Sequence, residues 1–207
     1  MKKDQKHLKK DKNILYTGTG DNGTTTLYDC KQGRISKSAV LIEALGSIDE
    51  LNAYLGIIKV YSDIDKIILK TGSSKINKGL FYSKIIEDIQ QNLFIIQAEL
   101  GGSLMFVSKK ELTKLENIIN KVGEVLPPIT SFTISGGSII SSGLDFARTL
   151  ARKGERRVIS VSEEGIRIIN PATLSYLNRL SSVLFALSRY ANYIFSIPET
   201  HPDYNKN

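Results

Sequence analysis

Gly18-Thr19-Gly20-Asp21-Asn22-Gly23-Thr24-Thr25-Thr26 sets three glycines among hydroxyls and amides. Glycine takes backbone conformations closed to other residues and lets a ligand come close to the main chain. Exposed amides and hydroxyls in such a turn can cradle phosphate oxygens. The stretch nearly fits the P-loop pattern G-x-x-x-x-G-K-[ST], but Thr24 stands where lysine is needed. No strand–loop–helix unit surrounds it, so a standard P-loop is excluded. Taken alone, the stretch is equally a phosphate site or a plain Gly-rich turn. Lys37, shortly downstream, can supply the missing cation or be ordinary surface decoration.

Three more clusters carry charge or hydrogen-bonding capacity. In Arg148-Thr-Leu-Ala-Arg152-Lys153-Gly154-Glu155-Arg156-Arg157 the spacing puts Arg148, Arg152 and Glu155 or Arg156 on one helical face. Guanidinium forks suit bidentate contact with carboxylate or phosphate; a solvated basic face partnered by Glu155 is the plainer alternative. Gly154, mid-helix at a cost of about 1 kcal/mol relative to alanine, points to close approach by another backbone or a ligand. Glu43, Asp49 and Glu50 lie along an earlier helix with Gly46. Asp49 and Glu50 are adjacent and point apart, so a salt bridge to an arginine of the basic face suits either better than a paired acid/base role. Asn178-Arg179 falls between apolar positions, where a polar amide needs a partner in the core or on a ligand.

Helices must position these groups. Leu41, Leu45, Ile48, Leu51, Leu55 and Ile58 recur at intervals of three and four, predicting a helix from about Ser38 to Tyr61. Residues 62–79 mix Ser, Gly, Lys and Asp and predict a loop. Ile85, Ile89, Leu93, Ile96 and Leu100 predict a second helix over about 80–106. A third, about 111–124, stops before Pro127-Pro128. A fourth begins after Gly136-Gly137 and runs to about Ser162. Asn170-Pro171 supplies an N-cap and a proline at the first helical position of a fifth, ending near Phe195. Nothing predicts a run of strands, a repeat or an interdomain linker. Burying five apolar stripes together gives one all-α domain, a bundle of about five helices.

Composition narrows the chemistry. The chain has 207 residues, 28 Lys and Arg against 21 Asp and Glu, and a formal charge of +7. The first thirteen residues alone carry +4 and residues 196–207 carry −1, leaving +4 for the body. The division expected is a basic, disordered arm over 1–13, a domain over 14–195 and a polar tail over 196–207. The sole cysteine, Cys30, has no intramolecular disulfide partner, in keeping with a reducing compartment. Only His7 and His201 are present, one in the arm and one in the tail, so a His-based zinc site, a Ser-His-Asp triad and a Glu-x-x-His di-iron bundle are excluded. No apolar run is long enough to span a bilayer, and the N-terminus lacks the apolar core of a secretory signal. Any chemistry must use carboxylates, arginines, backbone amides or a borrowed cofactor.

Taken in order, T-G-T-G-D-N-G-T-T-T, Lys37, I-E-A-L-G-S-I-D-E-L-N, S-F-T-I-S-G-G, A-R-x-x-x-R-x-x-E-R-R and N-P-x-x-L-x-Y-L-N-R-L-S resemble the PduO-type corrinoid adenosyltransferases over about residues 15–195. The resemblance implies a five-helix bundle of the ferritin-like kind, assembled as a homotrimer with an active site at each subunit interface. It implies transfer of the 5′-deoxyadenosyl group of ATP to Co(I) of cob(I)alamin, with release of triphosphate. Co(I) is itself a strong nucleophile, so the reaction needs no protein nucleophile, histidine or zinc. By resemblance Thr17, Gly18, Thr19, Gly20, Thr25 and Thr26 hold the nucleotide, Lys37 its polyphosphate, and Arg152, Glu155, Arg156 and Asn178 surround it. Mg²⁺ is carried mainly by the phosphates.

The resemblance also implies that Asp49 pairs with Arg148 to shape the corrin side, and that Phe132 drives off the lower axial base, leaving four-coordinate Co(II) that is easier to reduce. Arg152 joins these three as a catalytic residue. Ser135 replaces the usual proline before the glycine pair, Lys153 and Gly154 stand where Arg and Ala are common, and residues 62–79 run longer than the usual connection. Two rivals are a corrinoid carrier or nucleotide-responsive regulator that kept the fold, and a nucleic-acid-binding protein. The first is expected to lose Arg148, Arg152 or Asp49, all present; the second lacks a recognition motif and aromatics beside the arginines. Partners expected are other copies of the chain and a cobalamin reductase or an adenosylcobalamin-dependent acceptor enzyme, with neither nucleic acid nor membrane, in the cytoplasm or, in a eukaryote, an organellar matrix.

Overall fold

The computed structural model describes residues 15–27, 33–69 and 80–205. The basic arm, Cys30 and most of the predicted 62–79 loop therefore lie outside the described residues. Five helices make up the fold among the described residues: α1 (Val40–Ile64), α2 (Tyr82–Leu100), α3 (Lys109–Gly123), α4 (Ile139–Glu163) and α5 (Pro171–Ile194). α1 packs on α2 and α4, and α5 packs on α4 and α3. The predicted five-helix all-α bundle is what the chain forms.

Two short antiparallel pairs were not anticipated. β1 (Thr24–Thr26) pairs with β2 (Arg34–Ser36), Thr25 opposite Ile35. β3 (Ile68–Leu69) pairs with β4 (Leu80–Phe81). The 62–79 loop accordingly begins later than predicted, after α1 has run to Ile64 and Leu69 has entered the core. α2 ends at Leu100, not near 106, because Gly101-Gly102 follows, Gly102 at φ +97°.

The apolar stripes meet as their spacing requires. Leu41, Ile48, Leu51, Leu55 and Ile58 of α1 are buried, as are Ile85, Ile89, Leu93, Ile96 and Leu100 of α2. Each fully buried side chain of this size contributes about 1.5–3 kcal/mol. The Tyr82 hydroxyl donates to the Leu187 carbonyl at 2.9 Å, joining α2 to α5 inside the core. Burial raises the pKa of that phenol well above its ordinary value, so it stays a neutral donor.

α5 starts where predicted. Asn170 Oδ1 accepts from the Ala172 amide at 2.9 Å, with Pro171 next in line. Glu99, buried at the end of α2, accepts from the Asn170 amide at 2.6 Å and from the Thr173 hydroxyl at 2.7 Å. A carboxylate at this helix N-terminus also complements its dipole.

Gly154 and Gly143 are the positions where α4 comes close to α1. A Cβ on Gly154 would stand 3.0 Å from Ile48 Cδ1, and one on Gly143 would overlap Ile58 Cδ1. Gly154 therefore serves helix packing: what approaches it is α1, through the Ile48 side chain and, at 3.9 Å from that Cβ, the Ser47 backbone carbonyl. Around Gly46 there is open space.

Candidate active site

The Gly/Thr loop is shaped by two residues at positive φ, Gly18 at +69° and Gly23 at +76°, a region that favours glycine. The Asp21 amide donates to Gly18 O at 3.2 Å and the Gly23 amide to Gly20 O at 3.1 Å, forming successive turns. Asn22 Oδ1 accepts from the Thr24 hydroxyl at 2.6 Å and the Thr24 amide at 3.2 Å. Arg34, from β2, closes the loop: Nε donates to Thr24 Oγ1 at 2.7 Å, and Nη2 donates to Thr24 O at 2.8 Å and to Thr19 O. Lys37 folds back onto the same turn, where a Cβ on Gly20 would meet its Nζ at 3.1 Å. The Thr17 and Thr19 hydroxyls lie 2.9 Å apart, and Thr25 and Thr26 sit in β1.

On α4, five basic residues between 148 and 157 divide into two kinds. Lys153 Nζ pairs with Glu50 of α1 at 2.6 Å, and Arg157 lies 3.9 Å from Glu43 of α1. Arg148 Nε sits 3.8 Å from Asp145 Oδ1 and makes no hydrogen bond although buried. Arg152 and Arg156, one turn apart and exposed, have no side-chain partner among the described residues. Glu155, which could have neutralised either, instead accepts from Asn178 Nδ2 at 2.9 Å. Two free guanidinium groups remain on one face, with their acidic neighbour occupied.

Phe132 lies in the loop between α3 and α4 and is 78% exposed. Apolar side chains on the helices are open as well: Ile57 and Ile64 of α1, and Ile139 and Phe146 of α4. Phe146 meets Tyr54 edge to face at 4.9 Å. Below the loop is Asp145, buried, its carboxyl held above the ordinary carboxylate range by desolvation. Hydrogen bonds with Ser188, Gly136 and Ser135 and the charge of Arg148 act against that rise.

Within one chain the structure brings some predicted residues together and keeps others apart. Glu155 meets Asn178, and Lys37 meets the Gly/Thr loop. Asp49 and Arg148 do not pair: Asp49 Oδ1 is exposed and accepts from Gln97 Nε2 at 3.2 Å. The predicted salt bridge from α1 to the basic face does form, through Glu50 and with a lysine, not an arginine. No hydrogen bond or ion pair joins the Gly/Thr loop to Arg152, Glu155, Arg156 or Asn178 among the described residues. Nor do the described residues gather three or more His, Cys, Asp or Glu side chains. Lys37, Arg152 and Arg156 are donors only, suited to an anion.

The cobalamin adenosyltransferase family model matches residues 15–191. The chain belongs to the cobalamin adenosyltransferase family. Among relatives, the corrinoid adenosyltransferase PduO of Citrobacter freundii is 35% identical over 84% of this chain. The chain spans about half of that relative's length, 49%. The corrinoid adenosyltransferase of Bacillus subtilis is 35% identical over 86% of both chains. A variant of the PduO-type ATP:corrinoid adenosyltransferase from Lactobacillus reuteri, solved with cobalamin and ATP, superposes with a TM-score of 0.78 at 28% identity, covering 92% of this chain and 97% of that one.

For a cobalamin adenosyltransferase chain, four contributors escaped the sequence reading. Arg34 gave no signal beyond a single basic residue in a polar stretch. Asp145 stood three positions before Arg148, a helical spacing that marks the pair in retrospect. Asn192 Oδ1 accepts from the Ser138 amide at 3.0 Å, and its Nδ2 donates to Gly136 O at 2.8 Å, fixing the glycine turn from α5. His201 belongs to residues expected to form a polar tail, yet its ring nitrogen Nδ1 lies 2.9 Å from both Ser131 Oγ and Phe132 O.

Proposed function

We propose that this chain is an ATP:corrinoid adenosyltransferase that moves the 5′-deoxyadenosyl group of ATP to Co(I) of cob(I)alamin. The cobalt–carbon bond forms with the electron pair of Co(I), the C5′–oxygen bond breaks, and triphosphate departs with that bonding pair. The single observation that carries the reading is the pair of unpartnered guanidinium groups, Arg152 and Arg156, beside the Glu155–Asn178 bond. Two unneutralised guanidinium forks one turn apart can bind a polyphosphate bidentately, and charge grows on the departing triphosphate during this reaction.

The chain's residues then divide the work. Thr17, Gly18, Thr19, Gly20, Thr25 and Thr26 line the nucleotide cradle, with Lys37 on the polyphosphate. Arg152 and Arg156 stabilise the leaving group, while Glu155 and Asn178 fix the position of the nucleotide. Holding C5′ in line with the cobalt supplies most of the catalysis, since the nucleophile needs no activation by the protein. Mg²⁺ would be held mainly by the phosphates, where it would supply charge neutralisation. Phe132, whose ring is exposed, takes the space of the lower axial base.

The site is completed by assembly as a homotrimer. Two features support that: among the described residues no hydrogen bond or ion pair joins the Gly/Thr loop to the α4 arginines, and Asp49 and Arg148 are left without each other. Asp49 of one subunit meets Arg148 of the next, satisfying the buried Arg148 Nε. No described helix is long and apolar enough to cross a membrane, and a cytoplasmic setting suits the substrates.

The deciding experiment mixes protein, ATP, Mg²⁺ and chemically reduced cobalamin under strict anaerobiosis and follows the spectrum of adenosylcobalamin. Product formation is expected. No product from folded, trimeric protein sinks the proposal.

A further inference from the structure

The loop that carries Phe132 is held at its far end by α5, where Asn192 bonds to Gly136 and Ser138. Its middle is held by something else. Residues 197–201 run back along it as a strap: the Ile134 amide donates to Thr200 O at 2.8 Å, and His201 Nδ1 lies 2.9 Å from both Phe132 O and Ser131 Oγ. The strap is itself anchored. The Ile197 amide donates to Asn192 O at 2.9 Å, and Arg189 binds Glu199 through Nε and Nη2 while Nη2 also donates to Pro127 O at 3.0 Å. The Arg189 side chain is only 10% exposed, so this fork is a fixed point and not a surface pair.

We propose that His201 is a positioning residue for Phe132, setting the height of the phenyl ring against the lower face of the corrin. This rests on the reading of Phe132 given above. The phenyl ring is exposed, so its place is set through its own backbone, and His201 is the side chain that grips that backbone at residue 132. One ring nitrogen serves both neighbours. With its proton, Nδ1 donates to the Phe132 carbonyl; without it, Nδ1 accepts from the Ser131 hydroxyl. Either tautomer keeps the loop tied to the strap.

Three full-length variants test this: Phe132→Ala, His201→Ala and His201→Asn, whose amide nitrogen can reach the same carbonyl. Two quantities are read: the fraction of four-coordinate cob(II)alamin formed with ATP, by electron paramagnetic resonance, and the adenosylation rate from prereduced cob(I)alamin. His201→Ala is expected to lower the four-coordinate fraction about three- to tenfold, the effect of losing one such hydrogen bond, while the rate from cob(I)alamin falls much less. His201→Asn is expected to restore most of the fraction. Glu199→Gln, which weakens the anchor without touching the imidazole, is expected to move the fraction in the same direction. If Phe132→Ala loses the four-coordinate species while His201→Ala forms as much as wild type, the positioning role is wrong and the Phe132 reading survives. If Phe132→Ala itself keeps the species, the Phe132 reading fails and the His201 role goes with it. Equal impairment by His201→Ala and His201→Asn would also overturn it.

Discussion

Asn178 of α5 donates to Glu155 of α4 at 2.9 Å, and this bond occupies the carboxylate that lies between Arg152, three residues before it, and Arg156, the next residue. Without it, Glu155 could swing to Arg152 at i−3 and compete with phosphate oxygens. The arrangement makes Asn178 an indirect guardian of positive charge.

Arg152→Ala should therefore lower kcat/KM for ATP by about 10- to 100-fold, the scale of a hydrogen bond to a charged group. Asn178→Ala should raise the KM for ATP about three- to tenfold with a smaller change in kcat. Steady-state kinetics at saturating cob(I)alamin separates the two. Equal kcat losses in both variants would contradict the division of roles.

The pairing of Asp49 with Arg148 between subunits is tested by charge exchange. Asp49→Arg and Arg148→Asp should each weaken the trimer by more than about tenfold in concentration. The double exchange should recover most of it. Light scattering coupled to size exclusion reads the outcome directly, and a double variant as dissociated as the singles would refute the pairing.

Asp145 gives the protein a pH signature. Burial raises its pKa, so the folded chain binds that proton more tightly than the unfolded chain does. The stabilisation is fully present below the unfolded value, about 3.9, and is lost as pH rises through the folded value. Asp145→Asn abolishes this titration. The melting temperature of wild type minus that of the variant should therefore fall as pH climbs from about 4 to about 7. A difference independent of pH would show that Asp145 does not titrate as a buried acid.

Gly143 and Ile58 should be energetically coupled. Gly143→Ala places a methyl group against Ile58 Cδ1, and Ile58→Val removes that atom. The double variant should be more stable than the sum of the singles by about 1 kcal/mol in denaturant unfolding. Simple additivity would mean that α1 and α4 separate freely.

The helices were legible because each apolar stripe repeats at a spacing that only a helix buries on one side. Leu41 to Ile58, apart from the partly buried Leu45, and Ile85 to Leu100 are buried at the positions their spacing predicts. Their ends were harder: Ala39 and Phe81 flank α1 and α2 with no side-chain cap, so nothing local marks the start. The order of Gly/Thr, Asp-Glu and Arg blocks disclosed the family. The sequence did not disclose which basic residues on α4 stay free, because that depends on Glu50 and Glu43, about a hundred positions away. His201 and Ser131 are seventy positions apart and polar, and apolar periodicity carries no information about such a meeting.

Arg34 ties the Gly/Thr loop together from within the chain. Its three bonds to Thr19 and Thr24 have already removed the wandering that a loose glycine segment would otherwise lose on contact with ATP. Immobilising such groups ordinarily costs about 0.5–1.5 kcal/mol for each side chain. The encounter should thus resemble a key entering a cut lock, with no slow ordering phase in a stopped-flow trace and a heat-capacity change set by the surface the nucleotide itself buries.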